Sequence, residues 1–474
     1  MYEKLGNFID GEWLENSKKG ENVLNPANEN VLAFLPHASE KDLEKSLESA
    51  QRGFKKWRDT PVQERAAVLN RTADLIEDRA EKMACIITLE QGKPIGESKG
   101  EIQRTVETFR WNAEYAIKNI DDRSIIRENG LRQRVRVEPL GVSLGLTPWN
   151  FPAFLAARKL APALAAGCSM ILKASEETPG TAVALIRALS DAGIPKGVVN
   201  LVFGVPSEIS KKFFSSDIVR KVSFTGSVPV GKELANLASS GLKRCTFELG
   251  GHSPAIVCED SDLDVALSTL TSFKFRNSGQ VCIAPSRFYV HRKHYDSFVN
   301  GFVEAAKSQH LGDGLEATTT MGPMANFRRI DAMKNFVQNA LNSGAKLITG
   351  GKRLGDIGYF WEPTILIDVP EKSKIMQEEP FGPIAPIIAF DSLDEAIKKS
   401  NSLPYGLAAY VFTQSEKISE KLVASLETGG IAINSAAPVP SDLPYGGFKD
   451  SGYGYEGGIE GVEAYLHKKL VSIA

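Results

Sequence analysis

The chain has 474 residues, too many for one small domain and enough, at roughly 100–200 residues per domain, for two or three lobes. Its 42% hydrophobic and 24% charged residues are those of a folded globular protein and exclude a disordered chain. With 56 Lys and Arg against 58 Asp and Glu, the formal net charge of -2 gives no overall electrostatic reason to bind nucleic acid or an anionic membrane.

Near Met1 no basic segment leads into an apolar core, so no secretory signal is read and a cytoplasmic location is expected. Helices are expected through the first third. Leu43, Leu47, Ala50, Phe54 and Trp57 recur at alternating spacings of four and three, one face of a helix that Ser39 and Asp42 can cap. A second helix is expected to start with Thr60 as cap, Pro61 in the first position and Gln63 completing a capping box. Its apolar face would be Leu69, Ala73, Ile76, Ala80, Met83 and Ile87.

From residue 142 the pattern changes. Short apolar runs at 142–146, 170–172, 198–203, 222–224 and 255–257 alternate with helical segments, and Gly and Pro fill the linkers. That alternation indicates a parallel sheet covered on both faces. The richest apolar stretch, 142–166, is broken by Pro148, Asn150, Pro152, Arg158 and Lys159, and no stretch reaches the roughly 18–20 apolar residues a membrane span needs. Parallel sheets of this kind bind ligands beyond the carboxyl ends of their strands. The segments to inspect are therefore Thr147-Pro-Trp-Asn150, Lys173-Ala-Ser-Glu176, Thr225-Gly-Ser227 and Glu248-Leu-Gly-Gly251. A second alternating region, about 286 to 434, predicts a second α/β lobe. The tail from Pro444 ends in the apolar Leu470-Val-Ser-Ile473, which reads as a strand added to another element or subunit.

Cys85, Cys168, Cys245, Cys258 and Cys282 are few, odd in number and scattered, as free thiols in a reducing compartment would be. No C-x-x-C or H-E-x-x-H occurs and the histidines do not cluster, so no metal site is expected. Cys282 stands apart within Phe275-Arg-Asn-Ser-Gly-Gln-Val-Cys282, among small and polar residues. A partly exposed thiolate is a strong nucleophile toward carbonyls. Glu248 ends an apolar run before two glycines, where desolvation can raise a carboxyl pKa into the range of a general base. Asn150, in a loop stiffened by prolines, can offer a fixed amide to an oxyanion. No G-x-G-x-x-G follows a strand of this region, which counts against a standard Rossmann enzyme. Phe224-Thr-Gly-Ser-Val-Pro-Val-Gly231 instead leads from a strand into a helix, whose N-terminal amides can hold a pyrophosphate. Lys173 and Glu176 could contact a ribose, and the carboxylate would repel a 2′-phosphate.

Seven segments occur in an order that resembles the NAD(P)-dependent aldehyde dehydrogenase superfamily, and within it the succinate-semialdehyde dehydrogenase group. They are Thr147-Pro-Trp-Asn-Phe-Pro, Leu172-Lys-Ala-Ser-Glu, Phe224-Thr-Gly-Ser…Gly231, Phe247-Glu-Leu-Gly-Gly, Gly279-Gln-Val-Cys, Glu378-Glu-Pro-Phe-Gly-Pro and Pro444-Tyr-Gly-Gly-Phe-Lys. The resemblance implies two parallel-sheet α/β lobes, a non-standard Rossmann cofactor lobe and a catalytic lobe, with a small β-extension for oligomerisation. It implies a dinucleotide-binding domain of 1–118 and 140–249, a catalytic domain of 250–439, and oligomerisation segments 119–139 and 440–474 of a homodimer or homotetramer. It implies Cys282 as nucleophile, Glu248 as base and Asn150 as oxyanion donor. Trp149, Lys173, Glu176, Gly226, Ser227, Leu249, Glu379 and Phe381 would bind NAD, with NADP as the alternative.

The same resemblance implies that Arg158 and Arg276 bind the far carboxylate of a semialdehyde. Two guanidinium groups near one thiol suit an anionic aldehyde held bidentately. Pro440 stands where such enzymes place a carboxylate-binding serine, and Ser441 follows it. That shift leaves succinate, glutarate, 2-oxoglutarate, sulfonated and neutral aldehydes open as substrates. Glu248 argues against a CoA-acylating relative, which needs no hydrolytic base. Its retention with Cys282 and Asn150 argues against a catalytically silent one.

Overall fold

Ser39 opens the first long helix, Glu40–Arg58, with a full capping box: its hydroxyl accepts from the backbone of Asp42, and the Asp42 carboxylate accepts from Ser39. Leu43, Leu47, Ala50 and Trp57 are buried along one face. The second expected helix is two, Val62–Asp78 and Ala80–Gln91, separated at Arg79. The expected Thr60 cap is not made. Thr60 turns its hydroxyl back to the Lys56 carbonyl, 3.0 Å away, and Pro61 precedes the helix without a side-chain cap. The structure is a computed structural model and describes residues 2–120, 122–436 and 439–473.

The helical reading of the first third missed four short strands, Asn7–Ile9, Glu12–Leu14, Gly20–Leu24 and Val31–Pro36. Asn7–Ile9 joins the main sheet as an antiparallel neighbour of Val199–Val202. Five parallel strands form the centre of that sheet, in the order Val199–Val202, Ser169–Lys173, Val142–Leu146, Val219–Thr225, Arg244–Glu248. Numbered along the chain this is 3-2-1-4-5, so the order reverses between Val142–Leu146 and Val219–Thr225. A crevice opens at such a reversal. The far edge is closed by Gly452–Tyr453, antiparallel to Arg244–Glu248. A G-x-G-x-x-G spacing does occur here, Gly452 to Gly457, but it leaves an antiparallel edge strand in the tail, away from that reversal.

Ser253–Val257 looks in sequence like a continuation of the first run, yet it lies in the second sheet. That sheet has six parallel strands, ordered Thr364–Ile367, Ile384–Phe390, Pro285–His291, Ser253–Val257, Ala408–Phe412, Gly430–Ile433, with Lys346–Thr349 antiparallel at one edge. Both sheets are thus parallel with antiparallel edges, an α/β architecture. Four residues, 249–252, connect Glu248 to Ser253, so the amino ends of the second sheet meet the carboxyl ends of the first. The predicted terminal strand is present as Leu466–Ile473, paired antiparallel with Arg132–Pro139, whose other edge pairs with Arg123–Ile126. No helix among the described residues is long and apolar enough to cross a membrane.

Candidate active site

Three backbone features bring the predicted residues together. Asn150 leaves the Val142–Leu146 strand just before the helix Pro152–Ala166. Glu248 is the last residue of its strand. Cys282 stands three residues before Pro285–His291, at the amino edge of the second sheet. Cys282 is half-buried and lines two cavities at once. The larger, about 550 Å³, is also lined by Trp149, Asn150, Gly226, Ser227, Leu249, Glu379 and Phe381. Across Cys282, a second cavity is lined by Phe151, Phe154, Arg104, Arg158, Glu248, Arg276, Val439 and Tyr445.

The thiol is protonated at rest. Burial raises its pKa, and the Glu248 and Glu379 carboxylates raise it further, while backbone N–H groups oppose them. Glu248 is buried, and burial followed by the neighbouring Glu456 charge pushes its pKa up to about 7. Its Oε2 accepts from Thr225 Oγ1 at 3.5 Å, and its Oε1 has no partner. Thr225 in turn accepts from Lys159 Nζ at 2.7 Å, and Lys159 pairs with Glu456 at 2.5 Å. Ser223 donates to the same Glu456 oxygen at 2.8 Å. A hydrogen-bonded chain therefore runs from Glu248 to Glu456, and sequence reasoning found neither Lys159 nor Glu456. Both are buried charges, but on elements that meet only when the tail folds back.

Asn150 is buried and its Nδ2 donates to the Gln280 carbonyl at 3.2 Å, leaving one N–H for the cavity. Its own carbonyl accepts from Lys93 Nζ at 2.6 Å and Asn277 Nδ2 at 3.1 Å. Lys93 is fully buried and paired with Glu101 at 2.7 Å. The other Glu101 oxygen accepts from Ala153 N and Phe154 N, in the first turn of the helix that follows Asn150. Asn277 and Ser278, before Cys282, have left-handed φ values of 49° and 53°, and Glu97 holds the Asn277 N–H. These contacts fix the two strained residues by tertiary bonds.

The larger cavity fits a dinucleotide. The helix Val228–Ser239 begins at Ser227 without a side-chain cap, leaving first-turn N–H groups for a pyrophosphate. A Cβ on Gly226 would stand 2.3 Å from the Phe224 ring, so a side chain there is excluded. Glu379 is half-buried, its pKa pushed by desolvation to about 8, and its Oε1 has no partner, a ready acceptor for sugar hydroxyls. Trp149 and Phe381 meet edge to face at 5.6 Å. Lys173 and Glu176 pair with each other at 2.5 Å and do not line this cavity.

Arg158 and Arg276 both reach the second cavity, as expected. Arg158 is 3% exposed and none of its guanidinium nitrogens has a hydrogen-bond partner; its nearest carboxylate, Glu456, is 3.7 Å away. Ser441 is not brought there. Its hydroxyl is within 3.0 Å of Thr108 Oγ1, in a separate small cavity that shares Arg158. Of the loop around it, Ala437 and Pro438 lie outside the described residues. Arg104, which no motif singled out, joins the two expected arginines. All five cysteines are free thiols. No group of three or more His, Cys, Asp or Glu among the described residues is arranged to hold a metal.

A family model described as the aldehyde dehydrogenase family matches residues 13–471. The chain is 43% identical to a 4-(hydroxymethyl)benzenesulfonate dehydrogenase of Comamonas testosteroni, covering 98% of this chain and 97% of that one. It is 39% identical to a 3-sulfolactaldehyde dehydrogenase of Pseudomonas putida, with 98% and 96% covered. Identity to an NADP(+) succinate-semialdehyde dehydrogenase of Escherichia coli is 37%, with 98% and 97% covered. Among solved structures, an NADP-dependent enzyme of Escherichia coli superposes with a TM-score of 0.97 at 37% identity, covering 100% and 98%. An NAD+ complex of an aldehyde dehydrogenase from Bacillus cereus superposes at 0.96 and 36% identity, covering 99% and 96%.

Proposed function

Because the chain belongs to the aldehyde dehydrogenase family and works with NAD or NADP, we propose that it oxidises an aldehyde carrying an anion at its far end, with Cys282 as nucleophile. Glu248 takes the Cys282 proton, and the sulfur attacks the aldehyde carbon to give a thiohemiacetal. The Cys282 N–H and the free Asn150 N–H hold the resulting oxyanion. A nicotinamide held in the larger cavity supplies the hydride acceptor. Loss of hydride leaves a thioester on Cys282. Once Glu248 has passed that proton to solvent, it takes another from water, whose oxygen attacks the thioester carbon, releasing the acid and the thiol. In this reading the cavity residues around Trp149, Gly226, Ser227, Leu249, Glu379 and Phe381 bind the cofactor, and Lys173 and Glu176 reach its adenosine ribose.

The anionic substrate rests on one observation: Arg158 presents a buried guanidinium without a hydrogen-bond partner at the wall of the Cys282 cavity. A buried guanidinium without hydrogen bonds is costly, its Glu456 partner standing 3.7 Å off, and a substrate anion would supply them. Succinate semialdehyde is one such substrate. A sulfonated aldehyde is a second reading, supported by the names of two relatives and by Ser441 being engaged with Thr108. The test is kcat/KM, with NAD and with NADP, for succinate, glutarate and 2-oxoglutarate semialdehydes, a sulfonated aldehyde and a neutral one. Anionic aldehydes are expected to lead; a lead for the neutral aldehyde would overturn the reading. Arg276→Ala should raise KM for anionic aldehydes far more than for neutral ones, by about 2–5 kcal/mol.

The domain reading made from the resemblance is kept as part of this proposal, with 119–139 and 440–474 as oligomerisation segments of a cytoplasmic homo-oligomer. Exposed Ile125, Ile126, Leu470 and Ile473 on the three-stranded sheet support it.

A further inference from the structure

We propose that Arg104 is a specificity-determining residue, the third guanidinium of a pocket built for the three oxygens of a sulfonate rather than the two of a carboxylate. This rests on the anionic-aldehyde reading above and deepens it.

Arg104 lies on the helix Ile95–Asn119 and lines the Cys282 cavity with Arg158 and Arg276. Two aromatic rings join the three cations. Above the Phe151 ring stand Arg104 at 5.9 Å and Arg276 at 5.2 Å from the centroid. Arg104 and Arg158 each stand 5.4 Å from the Phe154 centroid. Arg104 is thus the middle member, sharing one ring with each neighbour.

Among the described residues, Arg158 alone of the three has a carboxylate within ion-pair distance, Glu456 at 3.7 Å. Arg104 makes one weak bond, to its own helix at the Gly100 carbonyl, 3.3 Å away. Among the described residues neither Arg104 nor Arg276 forms an ion pair. Nearby acids are committed: Glu97 to Asn277 N, Glu101 to Lys93 and a helix N-terminus, Glu456 to Lys159 and Ser223. Burial and then the Arg276 charge lower the Arg104 pKa to about 10, with Glu101, Glu107 and Glu97 opposing, and both cations stand over the same Phe151 ring. Such crowding costs stability unless an anion arrives to share.

A carboxylate has two coplanar oxygens. Its roughly four lone-pair directions all lie in one plane, so guanidinium groups arriving from three sides are not all served well. A sulfonate directs three oxygens tetrahedrally, so each guanidinium receives one. Arg104 therefore separates the two head groups, while Arg158 and Arg276 serve both.

The experiment uses the full chain with NAD and a matched set: 3-sulfopropanal, succinate semialdehyde and butanal. The wild type is expected to favour 3-sulfopropanal. Arg104→Gln should cut its kcat/KM by roughly tenfold or more, chiefly through KM, with a few-fold loss for succinate semialdehyde and the least for butanal. Arg104→Lys, which keeps the charge but loses the fork, should recover part of the loss. Inhibition of butanal oxidation by propane-1-sulfonate and by butanoate gives a second readout; the Ki of the sulfonate should rise more. Equal losses for both anions, or none, would overturn the role of Arg104. A wild type that prefers butanal to both anions would instead remove the anionic-aldehyde reading beneath it.

Discussion

Glu248 is a carboxyl with one weakly bonded oxygen and one without a partner, in a site dry enough to lift its pKa to about 7. The pH dependence follows. A base must be ionised to act, so kcat/KM is expected to rise as pH rises through about 7, and Glu248→Gln should remove that limb. The variant should release NADH slowly from the first turnover onward, because the same carboxyl takes the thiol proton before hydride is lost. A rapid-mixing trace with a full first-turnover burst would assign the thiol's base elsewhere. Stability carries the opposite sign. Between the ordinary value of 4.5 and about 7 the folded protein holds a proton that the unfolded chain has released. Stability is therefore lost as pH rises through that window, by on the order of 3 kcal/mol for this group. Glu248→Gln should melt higher than the wild type at pH 8 and close to it near pH 4.5. At this scale the sequence carried Cys282, Glu248 and Asn150 because each sits in a short motif at a strand boundary. Lys159 and Glu456 were hidden because a buried ion pair between distant segments leaves no local pattern. Arg104 was hidden because an arginine on a helix ordinarily faces water.

A buried ion pair holds Asn150 in addition to the prolines that flank its loop. Lys93 and Glu101 are each fully buried; the first holds the Asn150 carbonyl and the second holds the start of the next helix. Lys93→Met leaves the Glu101 charge unpaired and should cost about 3–5 kcal/mol in denaturant unfolding. Lys93→Met with Glu101→Gln should regain part of that stability without regaining kcat, since the Asn150 carbonyl keeps only its Asn277 bond. Full recovery of kcat would show that Lys93 acts only as a counter-ion. Elements were legible where their pattern was strong. The parallel strands after residue 142 are short apolar runs, and the helix Glu40–Arg58 carries both its stripe and its cap. Asn7–Ile9 and Glu12–Leu14 were not, since three-residue strands hold too little periodicity. The sheet identity of Ser253–Val257 was illegible for another reason: buried parallel strands read alike whichever sheet they enter.

Across the whole molecule, the rule that chemistry lies beyond the carboxyl ends of strands holds for one sheet and reverses for the other. Asn150 follows its strand and Thr225 and Glu248 end theirs, whereas Cys282, Glu379 and Phe381 precede theirs. The short 249–252 connection turns the second sheet's amino ends toward the first sheet, so the Cys282 thiol and the Glu248 carboxyl line one cavity across the junction. The tail completes this arrangement. It delivers Glu456 to Lys159 and continues through the helix Gly458–Glu463 into Leu466–Ile473, the edge of a three-stranded sheet. That sheet leaves Ile126 73% and Leu470 66% exposed, on strands whose outer edges are unpaired among the described residues. Exposed apolar edge strands favour association, and the homo-oligomer proposed above would place a second copy here. Ile126→Lys combined with Leu470→Lys is expected to lower the mass measured by sedimentation velocity at micromolar concentration while the circular dichroism spectrum persists. Because Glu456 and this strand share one segment, the dissociated variant should also lose turnover, with its pH limb displaced from about 7 as Glu456 loosens from Lys159. An unchanged sedimentation coefficient would take the interface away from this sheet.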